Sequence, residues 1–419
     1  MRRLALLSLL FFLTPALAAS DSGANLGLAQ AEAWWLEHNR ELRLARESLR
    51  GAEADSLVAG QGPNPQLSLS STSINPRSGI GAGGLGQKRV DSVLRLEQLF
   101  ERGGKRELRQ QVAGALQDAA AQGLADARRQ GLLQLRQAYW DLRLAQERQQ
   151  VAAESADLYQ RSVRATELRL KAGDVAGSDA ARLRIELARA ENEYRSAQAD
   201  LEQSRQTLAY ILGWEGDGRG LLASDSWPSL QGGNGDPGGD GEVDPDSRPD
   251  MAGARSRLKA AEAARDLARS LGTRDVAVGV QFEHYPPGAE SPNNTYGFSV
   301  SVPLFLNHSY QGEIARAESD LETARTQSDQ VRAQIRGDLA QARSRLMAAV
   351  ERRQRLESGL LAQAEKVAGA AEFAYARGAL GLLELLDARR TLRAVRLDAA
   401  QLGAEHAKAL AAWQAALGK

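Results

Sequence analysis

Two very long stretches of this chain repeat apolar residues at helical spacing and contain no proline. They run from about residue 105 to 170 and from about 311 to 376, so that each could form a helix roughly 100 Å long. Apolar residues of the second stretch fall on a seven-residue spacing that is broken once by a four-residue step: Ile314, Leu321 and Ile335, then Leu339, Leu346, Leu360 and Val367. A seven-residue repeat of this length predicts long coiled-coil helices rather than a compact globular domain.

Two pairs of shorter segments alternate apolar residues with small or polar ones. In the clearer pair, residues 276–282 and 296–302, a large apolar side chain occupies every second position. A weaker pair lies around Leu67 and Leu69 and around Leu94 and Leu96. The loops between them, 75–88 and 286–295, are rich in Gly, Pro, Asn and Ser. This pattern predicts two β-hairpins, each with one apolar face and one small or polar face.

The alternation is typical of strands that cross a membrane. A tilted strand of about 9–11 residues spans a bilayer, and apolar-out, polar-in alternation marks transmembrane barrels. A soluble sandwich is the alternative, but the rest of the chain offers only long helices to cover its apolar faces. Four strands cannot close alone, and an open edge in lipid leaves unpaired backbone groups. Two chains would supply eight strands, and side chains would fill the interior of such a barrel. Three chains would supply twelve strands and leave a lumen. The small and polar residues on the inward face favour the barrel with a lumen.

The chain consists of two copies of one unit. Residues 98–100 and 303–305 each precede a long helical stretch, and Gly173 and Gly378 each end one, with 205 positions between the members of both pairs. Residues 20–212 form the first predicted repeat (helix, β-hairpin, long helix, helix), and 251–419 form the second. Residues 213–250 are rich in Gly, Asp and Pro, and this composition predicts a flexible connector without regular structure.

The first 19 residues have the features of a secretory signal peptide. Arg2 and Arg3 precede an apolar run from Leu4 to Leu13, and small residues follow up to Ala18 and Ala19. We expect cleavage at that point. No later stretch resembles a transmembrane helix, and without cysteine the chain has neither disulfides nor a lipid-bearing Cys.

Composition argues against nucleic acid binding and against catalysis. Lys plus Arg and Asp plus Glu are both 53, so there is no cationic excess for phosphate. The four histidines (His38, His284, His308 and His406) are scattered, and none has a metal-ligand spacing. Residues 79–86 are rich in glycine but lack the Lys-Ser/Thr ending of a phosphate loop. We therefore expect no catalytic residues, no metal site and no cofactor.

Several short segments, in order and spacing, resemble the TolC family of outer-membrane efflux proteins. They are Asn64-Pro65-Gln66-Leu67, Arg248-Pro249-Asp250, Val302-Pro303-Leu304-Phe305, Tyr375-Ala376-Arg377-Gly378 and the run Leu382–Leu392. The resemblance covers essentially the whole mature chain. It implies a mainly α-helical homotrimer in the outer membrane of a Gram-negative bacterium. Four strands per chain would build a twelve-stranded barrel, and the long helices a periplasmic coiled-coil barrel.

The same resemblance implies partners and a branch of the family. The lower tip of the helical barrel would meet a periplasmic adaptor and an inner-membrane pump, forming an export duct with an iris-like gate. Residues 172–179 are similar to the branch that serves heavy-metal resistance pumps. The predicted adaptor contacts lie at the two hairpin tips: Leu170, Gly173, Val175, Ala176, Gly378, Ala379 and Leu380.

Four residues are candidates for the gate. Glu384 and Asp387 are three positions apart and share one helix face, and in a trimer they would form rings of like charge that select cations. The family has acidic gate residues at these two positions. Its Asp and Tyr that hold neighbouring hairpins shut correspond to Asp179 and Tyr375. Leu380 stands where well-known members carry an arginine, which leaves Arg377 or Arg182 as candidates to replace it.

Two other functions explain part of the sequence. A secreted or periplasmic coiled-coil scaffold would account for the helices but not for the alternating hairpins or the repeat. A periplasmic adaptor has one helical hairpin set within β-domains, whereas this chain has two hairpins in tandem. An enzyme is disfavoured because no plausible catalytic site is present.

Overall fold

The computed structural model describes residues 25–77, 79–84, 87–230, 244–286 and 294–418. The predicted signal peptide, the middle of the predicted connector and part of the second hairpin loop lie outside these residues. The helices are α1 (Leu28–His38), α2 (Arg40–Ala59), α3 (Lys105–Lys171), α4 (Gly177–Leu212), α5 (Pro249–Ser270), α6 (Gln311–Arg355), α7 (Leu361–Ala376) and α8 (Leu382–Ala416). The strands are β1 (Asn25–Leu26), β2 (Gln66–Thr72), β3 (Asp91–Phe100), β4 (Leu222–Ala223), β5 (Val276–His284) and β6 (Asn294–Ser301).

The chain folds into two compact units, and each draws residues from both sequence repeats. Among the described residues, one unit comprises 25–38, 134–230 and 348–408, and we call it the tip unit because it contains Gly173 and Gly378. The other comprises the remaining described residues and is called the sheet unit. Within the described ranges, no helix has the length and apolar character needed to span a membrane.

The two predicted long helices differ from each other. α3 is a single helix of 67 residues. The second stretch is divided into α6 and α7 by a π-helical segment, Leu356–Leu360, in which Gly359 has a φ of 133°. The prediction of one continuous helix from 311 to 376 is therefore wrong at this segment. Glycine accepts a positive φ without a Cβ clash, which explains why the break occurs there.

The π-helical segment also changes which face of the second stretch is buried. In α6, which precedes the segment, the predicted seven-residue seam is confirmed, since Leu321 and Ile335 are buried. Leu360, the last residue of the segment, and Val367 of α7 are exposed, and Ala364 and Ala368 of α7 are buried instead. A π turn accommodates an extra residue and so rotates the following helix relative to the preceding one. The predicted seam thus runs onto the surface of α7.

The four longer strands form one antiparallel sheet in the sheet unit, with the order β2-β3-β5-β6. The two predicted hairpins are therefore joined to each other through β3 and β5. At the end of the sheet, Lys105 at the start of α3 donates from Nζ to Oδ1 of Asp275 at 2.8 Å and to the carbonyl of Thr273 at 2.9 Å. These bonds tie the start of α3 to the segment that leads into β5.

The described start of the predicted connector has structure. β4 pairs in parallel with β1, and Leu221 and Ala223 beside this pairing are buried. Trp227 packs so closely on Gly403 of α8 that a Cβ there would lie 2.8 Å from its ring. The prediction of no regular structure over 213–250 is therefore wrong for this part. The apolar residues of this part pack against residues that are far away in the sequence.

Candidate functional site

The two helix hairpins of the tip unit turn in the same way. Gly173 has a φ of 84°, which favours glycine. Its N–H donates to the carbonyl of Leu170 at 3.1 Å, and the N–H of Asp174 donates to the carbonyl of Arg169 at 2.9 Å. Gly378 has a φ of 75°, and its turn forms the same pair of bonds at 3.0 and 2.9 Å. Both are Schellman endings, so the sequence repeat is also a repeat of turn geometry.

The predicted adaptor-contact residues surround these turns and are accessible within the chain. Gly173, Ala176, Gly378 and Ala379 are exposed, and Leu170, Val175 and Leu380 are partly exposed. Beside the second turn, the guanidinium of Arg377 stacks 3.8 Å from the ring centroid of Phe373. Contact of the tips with an adaptor stays a prediction.

Glu384 has a structural contact that the sequence analysis did not anticipate. Its Oε2 accepts a hydrogen bond from the N–H of Gly381 at 2.8 Å, at the start of α8. A carboxylate that reaches back to the first N–H groups of a helix satisfies a free donor and complements the helix dipole. The sequence carries a signal for this contact, because Glu384 follows Gly381 by three residues at the start of a helical pattern. Asp387, one turn further on, is exposed and has no polar partner among the described residues.

The other two gate candidates are not bonded to each other within the chain. Asp179 lies in the first turn of α4, 205 positions before Glu384, so the two acids occupy equivalent places in the repeats. Tyr375 packs against a buried cluster that joins the hairpins: Tyr159, Val163, Leu183, Ala190, Leu382 and Leu386. In the described part of the chain neither Asp179 nor Tyr375 forms a side-chain hydrogen bond. Their role in the gate stays a prediction.

A row of arginines on α8 binds the two hairpins together around this cluster. It consists of Arg389, Arg390, Arg393 and Arg396, and we call it the arginine row. Their spacing of three and four residues places them on one side of the helix. Sequence reasoning missed them because their acidic partners lie on other helices.

Each arginine has a defined partner. Arg390 and Arg393 form ion pairs with Glu186 and Glu193 of α4. Arg396 lies 3.1 Å from Oε2 of Glu154 on α3 and 3.2 Å from Oε1 of Glu365 on α7. Arg389 donates to Oγ of Ser162 on α3 at 3.0 Å and to Glu372 of α7 at 3.0 Å. The row therefore connects α8 to α3, α4 and α7.

A buried polar contact holds the connector and the β1 segment to α3. The hydroxyl of Tyr139 lies 2.9 Å from Oδ2 of Asp225 and 3.0 Å from the carbonyl of Leu26. The same Oδ2 accepts from the N–H of Leu28 at 2.6 Å. Tyr139 is completely buried, and burial raises its pKa to about 12. Its phenol thus stays protonated across the physiological range.

A second polar centre surrounds Arg353 at the end of α6. Its guanidinium donates to the carbonyl of Pro228 at 2.6 Å, to Nδ1 of His406 at 3.0 Å and to Oε1 of Glu357 at 2.7 Å. His406 is buried. Burial, and then the charge of Arg353, lower the pKa of His406 below its ordinary 6.5. The imidazole is therefore neutral and accepts the bond.

The sheet carries continuous apolar rows on one face. The register aligns Leu67, Leu96, Val280 and Phe298 in one row across all four strands. A second row, two residues along, contains Leu69, Leu94, Phe282 and Tyr296. The side chains of the first row are 46–70% exposed in the chain. An apolar surface of this extent requires either a lipid or a protein covering.

The opposite face is polar and internally bonded. Arg95 donates from Nε to Oε1 of Gln281 at 3.1 Å, and Gln281 donates to Oε1 of Glu283 at 2.7 Å. Two glycines of this face leave room for these groups: a Cβ on Gly279 would lie 2.6 Å from Oγ of Ser299, and one on Gly297 would lie 2.8 Å from the side chain of Gln281. The predicted alternation of one apolar and one small or polar face is thus confirmed.

Among the described residues, no group of three or more His, Cys, Asp or Glu side chains is arranged to hold a metal ion. The polar groups of the tip unit instead pair with one another. What the arrangement offers is an exposed apolar sheet face, a pair of matched hairpin tips and a set of interhelical ion pairs.

Comparison with known proteins agrees with this arrangement. A profile described as "Outer membrane efflux protein" matches residues 35–214 and 246–419. The chain is 27% identical over 409 residues to the cobalt-zinc-cadmium resistance protein CzcC of Cupriavidus metallidurans, and the match covers 92% of each chain.

Solved structures share the fold. The Campylobacter jejuni CmeC outer membrane channel matches with a TM-score of 0.79 at 17% identity, over 93% of this chain and 85% of that one. The outer membrane protein VceC of Vibrio cholerae matches with a TM-score of 0.75 at 21% identity, over 93% of this chain and 96% of that one. The chain therefore has the mainly helical, TolC-like fold of these proteins.

Proposed function

Because the chain belongs to the outer membrane efflux protein family, whose members are channel subunits of the outer membrane, we propose that three copies of it join their sheets into one twelve-stranded barrel. The barrel would open to the exterior, and the long helices would continue it as a duct through the periplasm. Family membership disfavours the alternatives of a scaffold and an adaptor.

The two-faced sheet is the observation that carries this proposal. Its apolar rows, such as Leu96, Val280 and Phe298, suit contact with lipid, and the bonded polar groups on the other face suit a lumen. β2 and β6 are the edges of the sheet. In lipid both edges need partners, and neighbouring copies supply them. Twelve strands leave a lumen, whereas eight would be filled by side chains.

The hairpin tips are the proposed site of contact with a periplasmic adaptor, which links the duct to an inner-membrane pump. Their turns expose Gly173 and Gly378 and the small residues Ala176 and Ala379. Small side chains let approaching helices pack closely. Charged substitutions at Ala176 or Ala379 that left export intact would count against this contact.

The gate is proposed to lie just inside the tips. Asp387 is exposed and unpaired within the described residues, and three copies would place three carboxylates at a narrow point. Such a ring attracts cations. Glu384 would contribute to the same ring while its Oε2 holds the start of α8. Asp179 and Tyr375 would hold neighbouring hairpins together in the closed state.

The proposed cargo is divalent metal cations. Similarity to a protein named for cobalt, zinc and cadmium resistance supports this class of cargo. A strain that lacks the protein should be more sensitive to these three metals, and the intact chain should restore growth. Restored resistance to organic drugs, without any effect on metals, would overturn the cargo assignment.

Conductance across a planar lipid bilayer tests the channel itself. Purified protein added from detergent should give discrete current steps with a reversal potential that shows cation preference. The variant Asp387→Asn should retain the steps and reduce that preference. Protein that remains soluble without detergent and gives no steps would contradict the channel.

A further inference from the structure

We propose that two arginines at the end of the sheet, Arg102 and Arg274, bind the phosphate group of a phospholipid in the inner leaflet of the outer membrane. We call these two residues the arginine pair. The pair lies at the end of the sheet from which α3 begins, which is the periplasmic end of the proposed barrel. The inference rests on that barrel and gives it a specific lipid site in each chain.

The two arginines stand opposite each other just beyond the paired parts of β3 and β5. The last pair of the strand register is Phe100 with Val276. Three residues further on, Gly103 approaches Thr273 so closely that a Cβ on the glycine would lie 2.8 Å from the Cβ of the threonine. Both contacts keep the same register, which brings the members of the arginine pair opposite each other. Side chains of an extended segment alternate between faces, so both arginines share the apolar face with Phe100 and Val276.

Neither guanidinium of the pair has an acidic partner among the described residues. The guanidinium carbon of Arg274 lies 5.5 Å from the ring centroid of Phe305, a cation–π contact that leaves its N–H groups available. The side chain of Arg102 forms no hydrogen bond or ion pair in the described part of the chain, and both arginines are exposed. Like charges that lie opposite each other on a sheet are unfavourable, so this arrangement calls for an anion.

The carboxylates nearest in sequence are bound to other cations. Oε2 of Glu101 accepts a hydrogen bond from Nη2 of Arg109 at 2.8 Å. Oδ1 of Asp275 accepts from Nζ of Lys105 at 2.8 Å and from the backbone N–H of Arg102 at 2.9 Å. By the same alternation, Glu101 and Asp275 belong to the polar face. The charge of the arginine pair is therefore not neutralised by these acids, and its counter-ion has to come from outside the described chain.

The length of the apolar face places the arginine pair at the membrane surface. At the far end of this face lie Ser92 on β3 and His284 on β5, each ten residues from the arginine of its own strand. Between them every side chain of this face on the two strands is apolar except Gln98, whose amide donates to two backbone carbonyls. Ten residues of strand span about 34 Å. A barrel tilt of about 35–45° reduces this to about 24–28 Å, which matches the height of about 25 Å of an outer-membrane apolar band.

The position of the pair within the sheet favours lipid over a neighbouring copy. β3 and β5 are the central strands, whereas copies would join at the edge strands β2 and β6. Apolar side chains next to the pair remain open to acyl chains. Phe100 is 54% exposed, and Leu304, beside the Phe305 that contacts Arg274, is 69% exposed. Anionic charge together with acyl chains is the chemistry of a phospholipid rather than of free phosphate.

Arginine is suited to this ligand. Its planar guanidinium offers N–H groups in a fork that matches the oxygens of a phosphate. Two forks from opposite segments can hold one phosphodiester between them. The aliphatic stems of the two side chains can lie along the apolar face while the charged ends stay at the headgroups. The phosphate would thereby fix the depth of the barrel in the membrane.

Native mass spectrometry of the detergent-extracted protein tests the site, because one spectrum gives both the oligomeric state and the bound lipids. The probe is dioleoylphosphatidylglycerol. Dioleoylglycerol, which lacks the phosphate, and inorganic phosphate, which lacks the acyl chains, are the comparison ligands. The test variant is Arg102→Gln/Arg274→Gln. The matched control Arg343→Gln/Arg345→Gln removes two exposed arginines of α6 that also have no partner among the described residues.

The intact protein and the control should bind the phospholipid more tightly than dioleoylglycerol, with one site per chain. The variant Arg102→Gln/Arg274→Gln should remain trimeric and bind the phospholipid about tenfold more weakly, since it loses two charged donors. A trimer of this variant that binds the phospholipid as tightly as the control does would overturn the inference and leave the channel standing. Should the double variant not assemble, the single variants Arg102→Gln and Arg274→Gln decide, and unchanged affinity in both would overturn it.

The comparison ligands separate the remaining outcomes. Equal affinity of the intact protein for the phospholipid and for dioleoylglycerol would overturn the inference, because the phosphate would then contribute nothing. Inorganic phosphate that competes as well as the phospholipid does would identify a plain anion site and would overturn the assignment to lipid. An intact protein that is monomeric in the spectrum would overturn the proposed barrel together with this site.

Discussion

Arg353 donates a hydrogen bond to Nδ1 of His406, and the two nitrogens lie 3.0 Å apart. The bond requires a neutral imidazole, because a protonated ring has no lone pair to accept it. The same arginine holds the carbonyl of Pro228 at 2.6 Å. Protonation of His406 would therefore disturb the point at which the connector attaches to α6 and α8.

This relationship predicts that the tip unit loses stability in mild acid. The folded pKa of His406 lies below its unfolded value of 6.5, so the unfolded chain binds more protons as the pH falls. The contribution of His406 is fully present above about pH 6.5 and is lost as the pH drops towards the lowered folded pKa. Unfolding midpoints measured between pH 7.5 and 5 should fall.

The variant His406→Gln provides a hydrogen-bond acceptor that does not titrate. It should therefore reduce the change of the unfolding midpoint with pH. His38→Gln, at an exposed histidine, is the matched control for the substitution itself. Identical pH profiles for His406→Gln and the unsubstituted protein would show that His406 does not couple protonation to folding.

Charge on the apolar face of the sheet should impair membrane assembly. Phe298→Lys introduces a cation at a position that is 70% exposed in the chain, at an expected cost of about 2–4 kcal/mol near the bilayer midplane. The neighbouring Ser299→Lys points to the polar face and should be tolerated. The amount of each variant recovered in purified outer membranes measures the difference. Equal recovery would argue against lipid contact for this face.

Loss of the Tyr139 hydroxyl should destabilise the tip unit. Tyr139→Phe leaves Asp225 with one hydrogen bond fewer in a buried setting, and we expect a loss of about 1–3 kcal/mol in the free energy of unfolding. Tyr210→Phe alters a tyrosine that is 74% exposed and should have no measurable effect. Chemical denaturation of the two variants gives the comparison, and equal midpoints would refute the role of this contact.

The arginine row should make closure of the duct sensitive to salt. Arg390→Ala removes a partly exposed ion pair with Glu186, with an expected cost of about 0.2–1 kcal/mol per chain. Because three chains each lose one ion pair, the open probability in bilayers should rise several-fold. The change of open probability with ionic strength should become smaller. Glu186→Gln/Arg390→Ala should add little further, because only the exposed contact of Glu186 with Arg189 is lost in addition. An open probability that stays at the unsubstituted value in both variants would rule out a role of this ion pair in closure.

Two substitutions at Glu384 separate its proposed roles. Glu384→Gln keeps an oxygen that can accept from Gly381 but removes the charge, so cation preference should fall while stability is largely kept. Glu384→Ala removes both and should additionally cost about 1 kcal/mol, as loss of a helix cap does. Reversal potentials and unfolding midpoints give the two readouts. Unchanged cation preference in Glu384→Gln would place this carboxylate outside the conducting path.

Local signals in the sequence were enough to predict the turns and the strands. Gly173 and Gly378 follow long proline-free helical patterns, and the strand alternation depends only on neighbouring residues. The break at Gly359 could not be predicted in this way, since Gly114 and Gly123 lie within α3 without interrupting it. Glycine permits the positive φ at position 359, but a glycine within a helical pattern does not by itself mark a break.

Contacts between distant segments account for most of what the sequence did not reveal. Trp227 lies in the segment predicted to be a flexible connector, and its contact with Gly403 could not be foreseen because Gly403 lies on the last helix. The ion pairs of the arginine row could not be predicted, because the acidic partners lie on α3, α4 and α7. Glu384 was recognised as a candidate gate acid, but its bond to Gly381 depends on the backbone geometry at the start of α8.

Single-particle electron microscopy of the detergent-extracted protein tests the central claim most directly. Side and end views should be averaged separately. The account predicts a tube more than roughly 100 Å long, as helices of this length require, with threefold symmetry in end views. Thin rods, or compact particles that need no detergent, would contradict the trimeric channel.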